Sequence, residues 1–163
     1  MVSIRLGGDA RRLMKRLEKL SYLDKKHINA ALSEAVRGST VERFKESRDP
    51  TGRRWKTSIR AAQEGGKTLV DKGRLRNSIR AKSDASGFAV GTNLIYAGTH
   101  QLGAKGRTIR AKNKKALRFK VGGRWVSKRQ VRVSIPARPF LGLSEDDLDE
   151  IKRTIEDAFS GED

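Results

Sequence analysis

The sequence contains no cysteine and only two histidines, His27 and His100. The lack of cysteine excludes disulfides, thiolate metal sites and cysteine nucleophiles. A catalytic centre needs a nucleophile with a base and an orienting group, or a metal with three or four protein ligands. His27 should be solvated, and His100 has few acidic neighbours in sequence, so we expect it to hydrogen-bond loop backbone rather than act as a base. We therefore expect no enzymatic activity, no cofactor and no metal.

Acidic residues are scarce in the middle of the chain. Between residues 53 and 138 there are 23 Lys and Arg against three acids, whereas residues 139–163 hold two basic and nine acidic residues. The net charge is +18. A basic middle with an acidic end attracts nucleic acid, but it attracts another copy of the same chain equally well. Charge alone does not decide between these partners.

Long apolar runs and internal repeats are also missing. No apolar stretch reaches the 18 residues that a membrane span needs, and the start of the chain has no apolar signal region. We expect no membrane partner and a cytoplasmic location in the producing cell. The 163 residues suit one domain, and no compositional linker divides them.

Helix signals lie at both ends of the chain. Asp9 is a good N-cap for a short amphipathic helix, and Asp24 caps a longer one, which predicts an antiparallel helical pair. Near the other end, Ser144 with Asp147 forms an acidic variant of the capping box. The last helix should then present one apolar face, formed by Leu148, Ile151, Ile155 and Phe159.

Strand signals fill the region between these helices. The turn residues 84–87 lie between two short alternating runs and predict a hairpin. The alternating runs 116–121 and 125–135, joined by two glycines, predict a second hairpin, preceded by a basic loop from residue 104. We therefore predict an α+β fold, in which a small antiparallel sheet carries helices packed on it, with an N-terminal helical pair and a C-terminal helix.

Two shorter features concern the middle of the chain. Asp49-Pro-Thr-Gly52 fits a type I turn, and Trp55 behind it should plug the core. Asp71 is expected to start a short helix.

The basic run from Lys105 to Lys115 is either a solvated loop or a segment that contacts phosphates without recognising base sequence. We expect residues 104–135 to project from the core and to become ordered against a neighbour.

The run Ser134-Ile-Pro-Ala-Arg-Pro-Phe-Leu-Gly-Leu-Ser144 predicts a rigid docking segment. Its two prolines hold the backbone at Arg138 extended. The guanidinium can therefore dock to a partner with little loss of conformational entropy. Phe140 follows as an apolar anchor. The expected class of partner is the acidic start of the last helix, either its own or a neighbour's, at Glu145, Asp146, Asp147 and Asp149. On this hypothesis, replacing Arg138 with alanine damages assembly more than folding.

Several motifs recur in a fixed order along the chain. They are Asp49-Pro-x-Gly-x-x-Trp55, Leu69-x-x-x-Gly-x-Leu-x-x-Ser-Ile79, Val90-Gly-Thr-Asn93, Tyr96-Ala-Gly-Thr-His-Gln-Leu-Gly103, and the proline-rich run above. In this order they resemble the virion morphogenesis (tail completion) family of tailed phages and Mu-like prophages. The resemblance spans roughly residues 44–159.

The resemblance implies a structural protein of the virion. It implies a ring of identical copies in the neck, which completes the tail and joins it to the head, with neck, connector or tail-tube proteins as neighbours. Such a ring protein could also touch packaged DNA passively. The alternative function is that of a non-specific nucleic-acid-binding protein. The candidate assembly interface consists of Arg138, Phe140, Trp55, Tyr96, His100, Gln101, Lys112, Lys114, Lys115, Trp125, Asp146 and Asp147.

Overall fold

The computed structural model describes residues 24–160. The helices in this range are α1 (Lys25–Glu46), α2 (Ile59–Glu64), α3 (Arg74–Asn77), α4 (Ala97–Leu102) and α5 (Glu145–Ser160). The strands are β1 (Arg80–Asp84), β2 (Gly87–Gly91), β3 (Ala104–Arg110), β4 (Leu117–Val121), β5 (Arg124–Lys128) and β6 (Gln130–Ile135). This content confirms the predicted α+β class. The first helix of the predicted N-terminal pair lies outside the described residues.

The strands form three antiparallel pairs, β1–β2, β3–β6 and β4–β5, instead of one sheet. The hairpin predicted around residues 84–87 is confirmed, with Asp84 opposite Gly87. The Asp84 carboxylate closes the turn because it accepts hydrogen bonds from the backbone N–H groups of Ser86 and Gly87, at 2.7 and 3.2 Å. Such an Asx turn depends only on local sequence, which is why it could be predicted.

The prediction for residues 104–135 was wrong in two respects. The run 125–135 is not one strand, because β5 pairs with β4 while β6 leaves this hairpin and pairs with β3. The expected basic loop begins with a strand, β3, over residues 104–110. β3 has almost no apolar alternation, and its place comes from backbone pairing with β6, in which Arg107 lies opposite Val133 and Ile109 opposite Val131. That pairing is not visible in the sequence of β3 itself.

Helix α1 begins where its sequence predicts. Asp24 caps it by accepting a hydrogen bond from the His27 N–H at 3.0 Å. The helix runs without a break through residues 38–40 and packs against β1, β2 and α5. It ends at Ser47, which adopts a left-handed conformation with a φ of 58°. α1 is therefore the central element to which the hairpin and the last helix attach.

The core lies between α1 and the loops that follow it. Phe44 contacts Trp55 with ring centroids 5.5 Å apart and Phe140 at 5.2 Å, and both phenylalanines are fully buried. Burying one such ring stabilises the fold by roughly 2–3 kcal/mol. The expected core role of Trp55 is confirmed. The buried cluster comprises Phe44, Trp55, Leu75, Ile79, Ala97 and Phe140.

The turn before Trp55 is also confirmed, since the Gly52 N–H donates to the Asp49 carbonyl at 3.0 Å. The start expected at Asp71 was wrong. Helix α3 begins at Arg74, after Gly73, whose left-handed φ of 71° ends the preceding loop. The N-cap of α3 makes no side-chain hydrogen bond, so Asp71 does not cap it.

Gly103 ends α4 at a point where two backbones meet closely. Its φ is +76°, and a Cβ added there would lie 2.7 Å from the Ala137 nitrogen and 2.9 Å from the Ile135 carbonyl oxygen. Only glycine fits both the conformation and the space. The close approach joins α4 to the segment after β6.

We predict that Gly103→Ala destabilises the fold by about 1–3 kcal/mol, because the new methyl group meets backbone and the residue must hold a positive φ. Gly98→Ala in the same helix is the control, since nothing lies within 4 Å of an added Cβ there. It should be neutral or stabilising. Chemical denaturation measures both variants, and equal stabilities would contradict the prediction.

Candidate assembly surfaces

The proline-rich segment, residues 136–142, is buried or half-buried over residues 138–141. Side chains form hydrogen bonds to the backbone of residues 139–142. The Gln101 side-chain oxygen accepts hydrogen bonds from the N–H groups of Phe140 and Leu141, at 3.0 and 3.1 Å. The same amide donates to the Leu141 carbonyl at 2.9 Å. Gln101 thus pairs with this extended chain much as a neighbouring strand would.

Two further side chains hold the same segment. The Trp55 indole N–H donates to the Pro139 carbonyl at 2.8 Å. Arg43 of α1 donates to the Gly142 carbonyl at 2.7 Å and to the Phe140 carbonyl at 3.3 Å. The segment therefore joins α1, α4 and the loop before α2, and it positions the fully buried Phe140 ring.

The expected role of Arg138 as an exposed docking group was wrong. Arg138 is only 6% exposed. Its Nε donates to the Lys56 carbonyl at 2.7 Å, and its backbone N–H donates to the His100 carbonyl at 2.7 Å. Of the acidic residues expected as its partners, Asp147 pairs with Arg43 instead. The sequence indicated that an arginine pairs with the acidic start of the last helix, but it did not indicate that this arginine is Arg43.

We accordingly predict that Arg138→Ala lowers the stability of the folded subunit by about 1–3 kcal/mol, because it leaves a carbonyl without its donor. Arg132→Ala removes an exposed arginine from β6 and is the matched control, expected within about 0.5 kcal/mol of wild type. Thermal melting of both purified variants measures the difference. An Arg138→Ala variant that melts like wild type would contradict this and would support a role of Arg138 in assembly instead.

The first turn of α5 is anchored by a buried ion pair between Arg43 and Asp147, whose side chains are 7% and 4% exposed. Arg43 also donates to the Ser39 hydroxyl at 3.1 Å. The predicted capping box is confirmed, since the Ser144 N–H donates to the Asp147 carboxylate at 2.7 Å and the Asp147 N–H donates to the Ser144 hydroxyl at 3.2 Å. One carboxylate therefore caps α5 and attaches it to α1.

These contacts lower the pKa of Asp147. Burial alone would raise it, but the Ser144 N–H, the hydroxyls of Ser39 and Ser144, and the Arg43 guanidinium favour the carboxylate and prevail. A carboxyl whose pKa is lower in the folded state than in the unfolded state stabilises the fold above the unfolded value. That stabilisation is lost as the pH falls through the folded value.

We predict that Asp147→Asn costs about 3 kcal/mol at neutral pH, because it leaves Arg43 buried without its counter-charge. The variant should also lose less stability than wild type when the pH falls below the ordinary carboxyl range. Asp146→Asn, one residue earlier and exposed, is the control. Denaturation at neutral and acidic pH tests this, and parallel pH profiles for wild type and Asp147→Asn would contradict it.

His100 and Tyr96 lie on one side of α4. The rings meet edge to face with centroids 5.9 Å apart, and Tyr96 is exposed. Burial, and then the positive charge of Arg138, lower the pKa of His100. The expected hydrogen bond to loop backbone is not made at Nδ1, which is buried without a partner among the described residues. Within residues 24–160 no group of three or more His, Asp or Glu side chains could hold a metal ion.

The exposed basic surface centres on the β4–β5 ribbon, residues 117–128. Trp125 is 61% exposed there, and the charged groups of Arg118 and Lys120 lie 5.2 and 5.4 Å from its ring centroid. The opposite face of the ribbon is mainly apolar, with Phe119 paired to Val126. No other described helix or strand packs extensively on the ribbon. Lone two-stranded hairpins are marginal in water, which favours a partner for this one.

The acidic surface is α5, which carries seven Asp and Glu against two basic residues. Its predicted apolar face is only partly covered. Leu148 and Ile155 remain 44% and 39% exposed, whereas Ile151 and Phe159 are half-buried. The helix therefore presents apolar side chains bordered by carboxylates.

A third exposed surface was not predicted from the sequence. It is an open groove of about 810 Å³ between α2, the end of α4 and the end of β6. Ile59 and Leu102 line it and are 77% and 80% exposed. Single apolar residues in short helices carry no periodicity, so nothing in the sequence distinguished them from core residues.

The phage virion morphogenesis family matches residues 8–160 of this sequence. The chain belongs to that family. Comparison with curated proteins and with solved structures found no significant match. The family consists of structural and assembly proteins, so this chain is a virion morphogenesis protein. In the part of the chain that the structure describes, no helix is long and apolar enough to cross a membrane.

The structure divides the candidate residues of this virion morphogenesis protein into two groups. Interior or partly interior positions, which hold the subunit together, are Arg138, Phe140, Trp55, His100, Gln101 and Asp147. Exposed positions, which stay candidates for assembly, are Tyr96, Lys112, Lys114, Lys115, Trp125 and Asp146. Sequence reasoning missed Arg43, although its spacing from Val36 and Thr40 places an arginine on the apolar face of α1.

Proposed function

We propose that this virion morphogenesis protein forms a ring in the phage neck, where it completes the tail and joins it to the head. The supporting observation is that one subunit carries two exposed surfaces of opposite charge, one from the basic middle of the chain (residues 53–138) and one from the acidic helix α5. A ring needs a heterologous interface, in which one surface meets a different surface on the next copy. Opposite charges bring such surfaces together in a defined orientation.

The anchoring of α5 supports the same proposal. The Arg43–Asp147 pair and the capping box hold the first turn of α5 against α1, so its remaining carboxylates are presented by a helix held at its start. A preorganised surface loses little conformational entropy on docking. Neighbouring neck, connector or tail-tube proteins are the further partners that we propose.

A second candidate function is non-specific nucleic-acid binding. It is favoured by Trp125, whose exposed ring lies within 5.4 Å of the charged groups of Arg118 and Lys120 on the ribbon. Stacking of a base on an aromatic ring contributes about 1–3 kcal/mol. Contacts with phosphates would make such binding fall steeply with salt. The ring proposal explains the acidic helix as well, whereas DNA binding leaves it without a role.

The mass of the purified protein, measured by light scattering with and without DNA at low and high salt, tests the two candidates. We expect oligomers of the 18.2 kDa subunit without DNA, weakened by salt because charged surfaces meet. A subunit that stays single and gains mass only with DNA would favour nucleic-acid binding. In that case Trp125→Ala should weaken DNA binding at least tenfold.

Particles made without this protein provide the functional test. We expect filled heads and tails to accumulate separately, and the purified protein to restore joining when it is added to them. Trp125→Ala should join them as wild type does if DNA binding is incidental. Joined, infectious particles in the absence of the protein would contradict the proposed neck role.

A further inference from the structure

We propose that an exposed apolar stripe on α5 of one copy docks into the groove beside Ile59 and Leu102 on the next copy. The stripe is defined by Leu148 and Ile155, and the groove by α2, the end of α4 and the end of β6. This inference rests on the proposed ring and names the two surfaces that would form its interface.

The groove has the character of a docking site for a helix. Its lining includes Ile135 and Ala137 together with the two strongly exposed apolar side chains, Ile59 and Leu102. Contiguous exposed apolar surface in a subunit usually marks an interaction site. At Gly103 the end of α4 lies directly against the chain that leaves β6, and both line the groove.

The apolar stripe on α5 has the length and the polar border that suit such a groove. Leu148 and Ile155 are seven residues apart, which places them on one face of α5 about 10 Å from each other along the axis. Glu145, Asp149 and Glu156 border the stripe on one side, as their spacing along the helix requires. An amphipathic helix that lays such a face into an apolar groove is a common recognition mode.

The charges around the two surfaces are complementary. Lys56, Lys105 and Arg138 line the groove, and the two lysines are exposed. The acidic border of the stripe would meet the two exposed lysines as the apolar side chains enter the groove. Attraction between them sets the orientation of the helix and excludes a second basic surface from the same groove.

The occupant is a second copy and not the subunit's own α5. The ion pair with Arg43 holds the first turn of α5 on α1, and the residues that surround Asp147 share no member with those that line the groove. Stripe and groove are thus separate, unlike surfaces on one chain. Repeating their contact from copy to copy gives the heterologous arrangement that a ring requires.

The first experiment places a charge in the groove. Leu102→Asp should weaken self-association of the full chain at least tenfold and leave the melting temperature unchanged, because the side chain is exposed. Ile95→Asp is the matched control, since Ile95 is fully exposed and lies outside the groove. Equal self-association of Leu102→Asp and wild type would overturn the inference while leaving the ring itself intact.

Mixing two defective variants tests whether the interface is heterologous. Leu102→Asp keeps an intact stripe, and Ile155→Asp keeps an intact groove. Neither alone should form rings, but the mixture should give dimers that contain one copy of each, because only one productive contact exists between them. A mixture that contains only single subunits, or rings formed by either variant alone, would overturn the inference.

A photo-crosslinking amino acid at position 155 of the full chain identifies the occupant directly, in solution and in purified particles. With a mixture of isotopically labelled and unlabelled chains, we expect crosslinks to residues 56–59 or 102–105 of another copy. Crosslinks to residues 1–23, to the β4–β5 ribbon or to DNA, or none at all, would overturn the inference. If rings are absent from both solution and particles, the proposed function itself fails.

Discussion

The fold depends on the segment of residues 138–142, most of whose backbone hydrogen bonds come from side chains and not from a neighbouring strand. The Gln101 amide accepts hydrogen bonds from backbone N–H groups of the segment and donates one to a backbone carbonyl. Trp55 and Arg43 donate to further carbonyls of the segment. Buried backbone groups without partners are costly, so each of these side chains is needed where it is. The segment in turn carries Phe140 into the centre of the core, against Phe44.

Arg43 connects this interior arrangement to the surface. It donates to carbonyls of this segment and also pairs with Asp147, so the core and the first turn of α5 share one side chain. A buried pair of this kind contributes little net stability but specifies geometry, since breaking it is expensive. In this protein the geometry that it specifies is the presentation of an acidic amphipathic helix, which the proposed ring uses as one of its two unlike surfaces.

Local chemistry could be predicted from the sequence, whereas long-range pairing could not. The Asp24 cap, the turn at Asp49 and the capping box at Ser144 depend on residues within one turn of each other, and all three are confirmed. The pairing of β3 with β6 was missed because β3 has little apolar alternation. The two prolines around Arg138 favour an extended backbone, but extension says nothing about whether a side chain faces solvent or core. The groove at Leu102 was missed for the same reason, since exposure arises from the packing of distant elements.

Residues 138–141 belong to the interior of each subunit and do not form a docking peptide. Amide hydrogen exchange of the free subunit, followed at Phe140 and Leu141, distinguishes the two roles. We expect both amides to be protected as strongly as the middle of α1, and assembly to leave their protection unchanged. Rapid exchange in the free subunit, followed by strong protection only after assembly, would contradict it.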